Sequence, residues 1–429
     1  MRARLKTASP WWVAALAGVA MMSWLGLHGF AWSDYDFEVS AAFRSLIAGD
    51  LHGFLVQAPV YGGSLVLRAP FAGAVAALGG GELAVYRAVS IPCLFAVAAL
   101  GLVLVRRMGA RGRTNGVRAL VLALCVANPV TLRALEIGHP EELLCAALAI
   151  GAVLAAADRR AVLAAVLLGL AIASKSWAVL AIGPVLLALP ERRVLALAIA
   201  GAVTLGVLAP LLLTGSPQTF VEGTSTTGAI FAPWHVFWFL GETGHVVIGA
   251  DGLPKPDGYR VPPQWLSPLT HPLIAFLVVP LSLAWARVHR AARPAGEQLL
   301  LLLALLFLLR CALDPWNVVY YELPFILALL AWEGLCRPER PPVGALLATV
   351  LTWVTFQSAP GWLGPDMQSL FFAVWALPFA AWMARTAFGA PARRPERSER
   401  PGRPRRSECS ERHGATDRAC GASAAVPQH

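Results

Sequence analysis

Residues 164–193 read AAVLLGLAIASKSWAVLAIGPVLLALPERR. An apolar run meets Ser174-Lys175-Ser176, turns, and an apolar return ends in Glu191-Arg192-Arg193. Neither run has a polar face, and a helix that is apolar all round must be buried on every side, in protein or in lipid. The composition selects lipid. The 429 residues are 57% hydrophobic and 14% charged, where a soluble domain carries roughly 25% charge. The expected fold is therefore all-α, a polytopic bundle of transmembrane helices.

The same pattern extends outward from this hairpin in both directions. Spans of about 20 residues are expected where apolar runs end in basic turns. The runs lie at about 11–31, 83–105, 117–132, 143–157, 162–173, 177–189, 194–213, 272–286, 298–309, 320–336, 343–356 and 368–388, about twelve in all. Arg2, Arg4 and Lys6 precede the first run. Arg106, Arg107, Arg111 and Arg113, Arg159 and Arg160, Arg192 and Arg193, Arg287, Arg290 and Arg293, and Arg337 and Arg340 mark alternate turns. Arginine-rich turns stay in the cytoplasm. That places both termini and Arg111 inside, and Asp34, the loop 215–271 and Gly361 outside, in a multi-pass protein of the cell membrane. Residues 1–388 read as one membrane domain. Residues 389–429, rich in Arg, Pro, Ser and Glu, read as a disordered basic cytoplasmic tail. No small-x-small cleavage site follows the first run, which is read as a retained span. Residues 61–80 are apolar but carry Arg68, Pro70 and several glycines, and read as a re-entrant or interfacial segment on the outer side.

The net charge of +10 does not point to nucleic acid, because the arginines sit in short turns and in the tail. Seven cysteines lie mostly inside apolar runs or in the tail, so neither a disulfide nor a cysteine zinc site is expected.

The first outward loop, residues 33–59, reads SDYDFEVSAAFRSLIAGDLHGFLVQAP and opens with Asp34, Asp36 and Glu38. Asp34 is expected in extended chain. From Phe37 on, Val39, Phe43, Leu46 and Ile47 recur at helical spacing, which predicts a short amphipathic helix lying in the outer interface. Asp36 is a candidate catalytic residue or the cap of that helix.

The other polar groups gather at the same predicted ends. Ionisable groups near the membrane are costly and mark function. Lys175 is one of three lysines in the chain. At an apolar hairpin tip it suits a phosphate as a compact three-donor cation, or it snorkels to the headgroups. Arg310 is a second candidate phosphate clamp, or the ion-pair partner of Asp314 one turn on. Arg133 stands in the same relation to Glu136. His139 and Glu141, in Gly138-His139-Pro140-Glu141-Glu142, are candidates for binding sugar hydroxyls or the acceptor. Pro140 with two acids after it also reads as the start of a helix. The stretch lacks the two-histidine spacing of a zinc helix. Tyr320 and Tyr321, with Trp234, His235, Phe237, Trp238, Trp265 and Trp316, suit either sugar stacking or an interfacial belt.

The stretches SDYDFEV (33–39), EIGHPEELLCAALAIGAVLAAADRR (136–160) and residues 164–193 together resemble the GT-C superfamily of membrane glycosyltransferases. Among these the resemblance is to bacterial polyprenyl-phosphomannose-dependent mannosyltransferases. It covers the first half by pattern and the rest by topology. It implies transfer of a sugar, mannose in that group, from a polyprenyl-phosphate carrier to a glycan or glycolipid acceptor, with an acid of the first outward loop as base. That role falls on Asp34 or Asp36. The Tyr-x-Pro-type stretch of that group is replaced here by Pro59-Val60-Tyr61-Gly62-Gly63.

The chemistry is consistent with an outer site. Nucleotide sugars are cytoplasmic, so an outer enzyme needs a lipid-linked donor. A carboxylate takes the acceptor's proton, and the departing phosphate needs cations rather than an acid. No cofactor is required; a divalent metal beside Asp34 and Asp36 is compatible with the scheme. The expected partners are the polyprenyl-phosphate sugar, a lipid-linked or glycan acceptor and membrane lipids, not nucleic acid. The alternatives are a non-catalytic lipid-glycan flippase or transporter, and a scaffolding membrane protein.

Overall fold

The computed structural model describes residues 9–28, 34–59, 62–215, 230–248, 254–291 and 295–389. The expectations for Arg2, Arg4, Lys6, Tyr61, Arg293, most of the tail, and parts of the loop 215–271 lie outside these residues. Helix α1 (Ser9–Gly26) precedes the acidic loop, which holds α2 (Ser40–Ile47) and α3 (Leu51–Gln57). Then come α4 (Gly63–Ala77), α5 (Glu82–Ala110), α6 (Asn115–Val126), α7 (Pro129–Ile137), α8 (Glu141–Ala157) and α9 (Ala161–Ser174). They are followed by α10 (Ile182–Ala188), α11 (Arg193–Thr214), α12 (Thr270–Phe276) and α13 (Val278–Val288). The last four are α14 (Leu299–Leu313), α15 (Leu323–Cys336), α16 (Val343–Trp353) and α17 (Pro365–Phe388). One small antiparallel ribbon, β1 (Val246–Ile248) with β2 (Pro254–Pro256), interrupts the helical architecture. The sequence predicts only loop there.

Each of the twelve predicted runs contains helix. Among the described residues, eight helical stretches are long and apolar enough to cross a membrane, which suggests a multi-pass membrane protein. The stretches 10–26, 63–77, 161–174 and 176–188 are shorter apolar helices. Several predicted runs are not simple helices; that at 272–286, for example, divides between α12 and α13. The run at 117–132 breaks between α6 and α7, where Asn128 caps α7 through Val130 N and Pro129 takes the first helical position. The run at 177–189 begins as a 3₁₀ turn, Ser176–Ala181, before α10.

Burial sorts the helices into a core and a rim. Helices α14 and α15 are almost wholly buried, whereas α11 and the 267–288 stretch have few buried residues. The exposed side of α11 carries Val194, Leu195, Leu205, Leu212 and Leu213. So large an apolar surface would aggregate in water and is satisfied by lipid. With lipid on the rim, helix contacts depend on close approach and polar ties. Gly169 of α9 lies against α11 so tightly that a Cβ there would stand 2.6 Å from the Ala200 carbonyl oxygen. Thr204 Oγ1 donates to the Gly169 oxygen at 3.0 Å across the same seam.

A second polar tie closes the start of α16. Glu333, buried in α15, accepts from Gly344 N at 3.0 Å and Ala345 N at 2.8 Å. It thereby satisfies two of the N–H groups that a helix start leaves without partners. We expect Glu333→Ala to lower stability by about 1 kcal/mol, the usual cost of losing such a cap, read as a lower midpoint in detergent-phase thermal unfolding.

The bundle has two distinct polar ends, joined by helices such as α8, whose 17 residues rise about 25 Å. At the Asp158 end, Arg107 pairs with Asp158 at 2.6 Å and Arg111 with Glu297 at 2.6 Å. Arg113 there donates to the Pro338 and Arg340 carbonyls. The other end, at Glu141, holds the acidic loop.

Candidate functional site

The acidic loop does not enter as extended chain. Asp34 has helical dihedrals (φ −74°, ψ −31°) and heads a π-helical turn, Tyr35–Val39, closed by Ser40 N donating to the Tyr35 oxygen. The amphipathic helix starts at Ser40 rather than near Phe37, and Asp36 does not cap it; the capping aspartate in this loop is Asp50, which holds Gly53 N at the start of α3. The wide turn has one consequence for the acids. Tyr35 is buried, 4.7 Å from the Tyr86 ring, while Asp36 and Phe37 face out.

Asp34 is thereby held at the mouth of a buried charge cluster, with its side chain about a third exposed (32%). Its Oδ2 receives the Tyr320 hydroxyl at 3.0 Å and His139 Nε2 at 3.0 Å. The His139 and Tyr320 rings lie against one another, centroids 4.2 Å apart. His139 is placed by Gly138, which ends α7 in the left-handed region (φ +116°). A Cβ on Gly138 would stand 2.5 Å from Tyr35 N. Only glycine combines that φ with so close an approach to the loop.

On its other side, His139 Nδ1 contacts Glu141 Oε1 at 2.7 Å. The histidine therefore bridges two carboxylates. An ionised carboxylate only accepts hydrogen bonds, so both ring nitrogens must carry protons. The electrostatics agree. Burial works against the imidazolium, but Glu141 and Asp34 outweigh it and hold the pKa up to about 9. Folding thus raises this group above its ordinary 6.5. The stability it contributes is full below pH 6.5 and is lost as pH rises through about 9. We expect wild-type thermal stability to decline over that window and the decline to be absent in His139→Gln.

Beneath His139, Glu141 is buried and fully engaged. Its Oε1 also meets Lys175 Nζ at 3.1 Å, and its Oε2 takes Arg68 Nη2 at 3.2 Å. Lys175 reaches Glu142 as well, at 3.5 Å, and Trp177 Nε1 donates to the same Glu142 oxygen at 3.4 Å. Lys175 is therefore buried among carboxylates rather than presented at an exposed hairpin tip. The apolar flanks that suggested a tip pack instead against α8 and α14. Arg310 is buried over the Tyr321 ring (4.0 Å) and near Trp177 (5.2 Å), and donates to the Tyr321 oxygen at 3.3 Å. Its expected partner Asp314 lies at 4.0 Å.

The structure thus brings together Asp34, His139, Glu141, Lys175 and Tyr320, with Arg310 and Tyr321 packed behind Trp177. It leaves two predicted residues apart. Arg133 pairs with Glu136 at 2.6 Å, and Asp36 is exposed. Glu38 has an accessible surface, yet desolvation raises its carboxyl above the usual range; Asp34 and Glu141 add to this, while His139 and Lys175 oppose it. Sequence reasoning gave no site role to Arg68, Glu142 or Trp177. Arg68 had a visible signal, a lone arginine in an apolar run, but its partner lies 73 residues away. Among the described residues no group of three or more His, Cys, Asp or Glu side chains is arranged to hold a metal ion.

In outline, an accessible carboxylate is fixed by an imidazolium and a phenol and backed by buried charges of alternating sign, Glu141, then Lys175 and Arg68, then Glu142. Such a carboxylate can accept a proton from a bound hydroxyl, and the basic groups behind it favour a negatively charged reactant. A model of one family, described as Glycosyltransferase family 87, matches residues 63–313, more than half of the chain. That stretch contains Arg68, His139, Glu141, Glu142, Lys175 and Arg310, whereas Asp34 and Tyr320 lie outside it. No curated protein matches the chain.

Proposed function

The chain belongs to glycosyltransferase family 87, and on that premise we propose that it moves a sugar, mannose in the first instance, from a polyprenyl-phosphate carrier to a hydroxyl of a glycan or glycolipid. The observation that carries this reading is the Asp34 carboxylate held at 3.0 Å by both His139 and Tyr320 at the accessible edge of the cluster.

In the proposed reaction the acceptor oxygen forms a bond to the anomeric carbon. Its proton passes to Asp34. The bond from that carbon to the carrier phosphate breaks, and its electron pair leaves with the polyprenyl phosphate. The imidazolium of His139 orients Asp34 through their 3.0 Å contact. General-base assistance of this kind contributes roughly 10²–10⁴-fold in rate. Lys175 and Arg310 are the proposed source of positive potential for the departing phosphate. Because Glu141 and Glu142 already hold Lys175, this role requires the phosphate to compete with them. Glu141 acts in this scheme as a support for His139 and Lys175 rather than as a sugar ligand.

The arginine distribution supports placing the Asp34 end at the outer face of the cell membrane, with both termini cytoplasmic and 389–429 as a separate tail. Membership of a transferase family does not favour the flippase or transporter alternative. The direct test supplies purified chain with radiolabelled polyprenyl-phosphate mannose and a membrane lipid extract, and in parallel with nucleotide-linked mannose. Label should move to lipid or glycan only from the polyprenyl donor. Transfer from the nucleotide sugar alone would overturn the donor assignment.

A further inference from the structure

At the end of α8 opposite the Asp34 cluster, two turns face one another across a cavity of about 500 Å³. One turn is Asp158-Arg159-Arg160, between α8 and α9. The other is Glu191-Arg192-Arg193, ahead of α11. Arg159, Arg160 and Arg192 line the cavity, with Glu191 as the single acid on its wall. All three arginines are exposed, and none makes a side-chain ion pair or hydrogen bond among the described residues. This differs from Arg107, Arg111 and Arg113 nearby, which are all engaged.

The backbone adds an independent observation. Arg159 (φ +62°) and Arg192 (φ +59°) are the two described non-glycine residues in the left-handed region. Glycine or asparagine occupies such positions at least cost. Here both hold arginine, and both arginines line the same cavity. Strained positions of this kind mark functional sites when an observed outlier coincides with a site.

The cavity continues into an apolar groove. A second space, about 360 Å³, shares Arg160 and Leu163 with the first. It runs between α5, α8 and α9 and is lined mainly by small or aliphatic residues such as Ala96, Gly151 and Leu167, with the Arg107–Asp158 ion pair also on its wall. A basic pocket above an apolar channel matches the two parts of one molecule, a phosphate-bearing headgroup and an acyl chain. Basic pockets between membrane helices take anionic lipid headgroups, and arginine forks fit phosphate oxygens in two-point contacts.

We infer that this end of the bundle binds an anionic glycerophospholipid, its phosphate held by Arg159, Arg160 and Arg192 and one chain laid in the groove between α5, α8 and α9. A free phosphate would use the arginines but not the groove.

The test uses the purified full chain in detergent. Dioleoyl phosphatidylglycerol, dioleoyl phosphatidylcholine and inorganic phosphate are added separately, with native mass spectrometry and thermal unfolding as readouts. The chain should retain the phosphatidylglycerol at least tenfold better than the phosphatidylcholine, and only the former should raise the melting midpoint. The double variant Arg159→Gly/Arg192→Gly suits both turns, so it should fold as well as wild type and lose that preference. Arg160→Gln, outside the left-handed region, should lose it in part. Arg290→Gly, away from the cavity, should keep it. Equal retention of the two lipids would overturn the inference, as would unchanged retention by the double variant and by Arg160→Gln. Phosphate alone reproducing the stabilisation would overturn the lipid assignment in favour of a free-anion site.

Discussion

Asp34→Asn should reduce sugar transfer by about 10²–10⁴-fold, the range lost when a general base is removed, while the protein folds and purifies normally. Asparagine keeps the size of the side chain and an oxygen that Tyr320 and His139 can still reach. It removes only the ability to take a proton. Asp36→Asn, at an exposed position outside the cluster, should remain within a few-fold of wild type. The pair of variants separates chemistry from helix support, since Asp34 heads the π-helical turn and Asp36 lies within it. Full activity in Asp34→Asn would move the base elsewhere. Glu38 is then the next candidate, because Asp34 and Glu141 already act on its carboxyl.

Lys175→Met should have the largest effect on stability. The ammonium is the charged partner of Glu142 and one of three cationic partners of Glu141, all of them buried. Stripping one partner from a buried pair costs about 3–5 kcal/mol, because the remaining charge is left without compensation. Glu141 retains Arg68 and His139. Among the described residues Glu142 retains the Trp177 indole as a hydrogen-bond donor and the more distant charge of Arg310, so it bears the greater loss. Lys175→Met/Glu142→Gln should therefore recover a large share of the stability, a non-additivity expected for groups in direct contact. Donor affinity in the double variant tests the proposed phosphate role separately. Recovery of stability together with normal donor affinity would make Lys175 a structural cation only. Recovery of stability with weak donor binding would support contact between Lys175 and the phosphate. If Lys175→Met alone unfolds at the wild-type midpoint, the cluster is not held together by this residue.

The fold was legible where local physics decides it. Apolar runs longer than a few helical turns, ended by arginines, mark helices, and a helix occurs at every such run. The breaks were less legible. Pro129 in a continuous apolar stretch was a visible cause of the α6–α7 boundary, but whether proline bends or divides a helix depends on its neighbours. The π-helical turn at Tyr35 had no signal of its own. It is held by the packing of Tyr35 on Tyr86 and against Gly138, contacts made across 51 and 103 residues of chain. The candidate site divides in the same way. His139, Glu141, Lys175, Arg310 and Tyr320 were recognisable as polar groups in costly places. Their mutual pairing was not, because charge type shows what needs a partner and not which partner the tertiary structure supplies. Lys175 illustrates the difference: rarity and apolar flanks suggested an exposed tip, whereas the carboxylates of α8 bury it.

The π-helical turn also sets limits on how this chain can diverge. A π turn accommodates one residue more than an α turn, so the placement of Asp34 depends on chain length as well as on residue type. Evolution can exchange the outward-facing Asp36 and Phe37 by ordinary point substitution. It can also lengthen the loop around Gly49, where a Cβ would meet nothing within 4 Å. Between Tyr35 and Val39 the gain or loss of a single codon would rotate the acid by about 100°, away from His139 and Tyr320. Alignments of descendants should then place gaps around Gly49 and none between Asp34 and Ser40, making this short segment a fixed ruler within an otherwise variable loop.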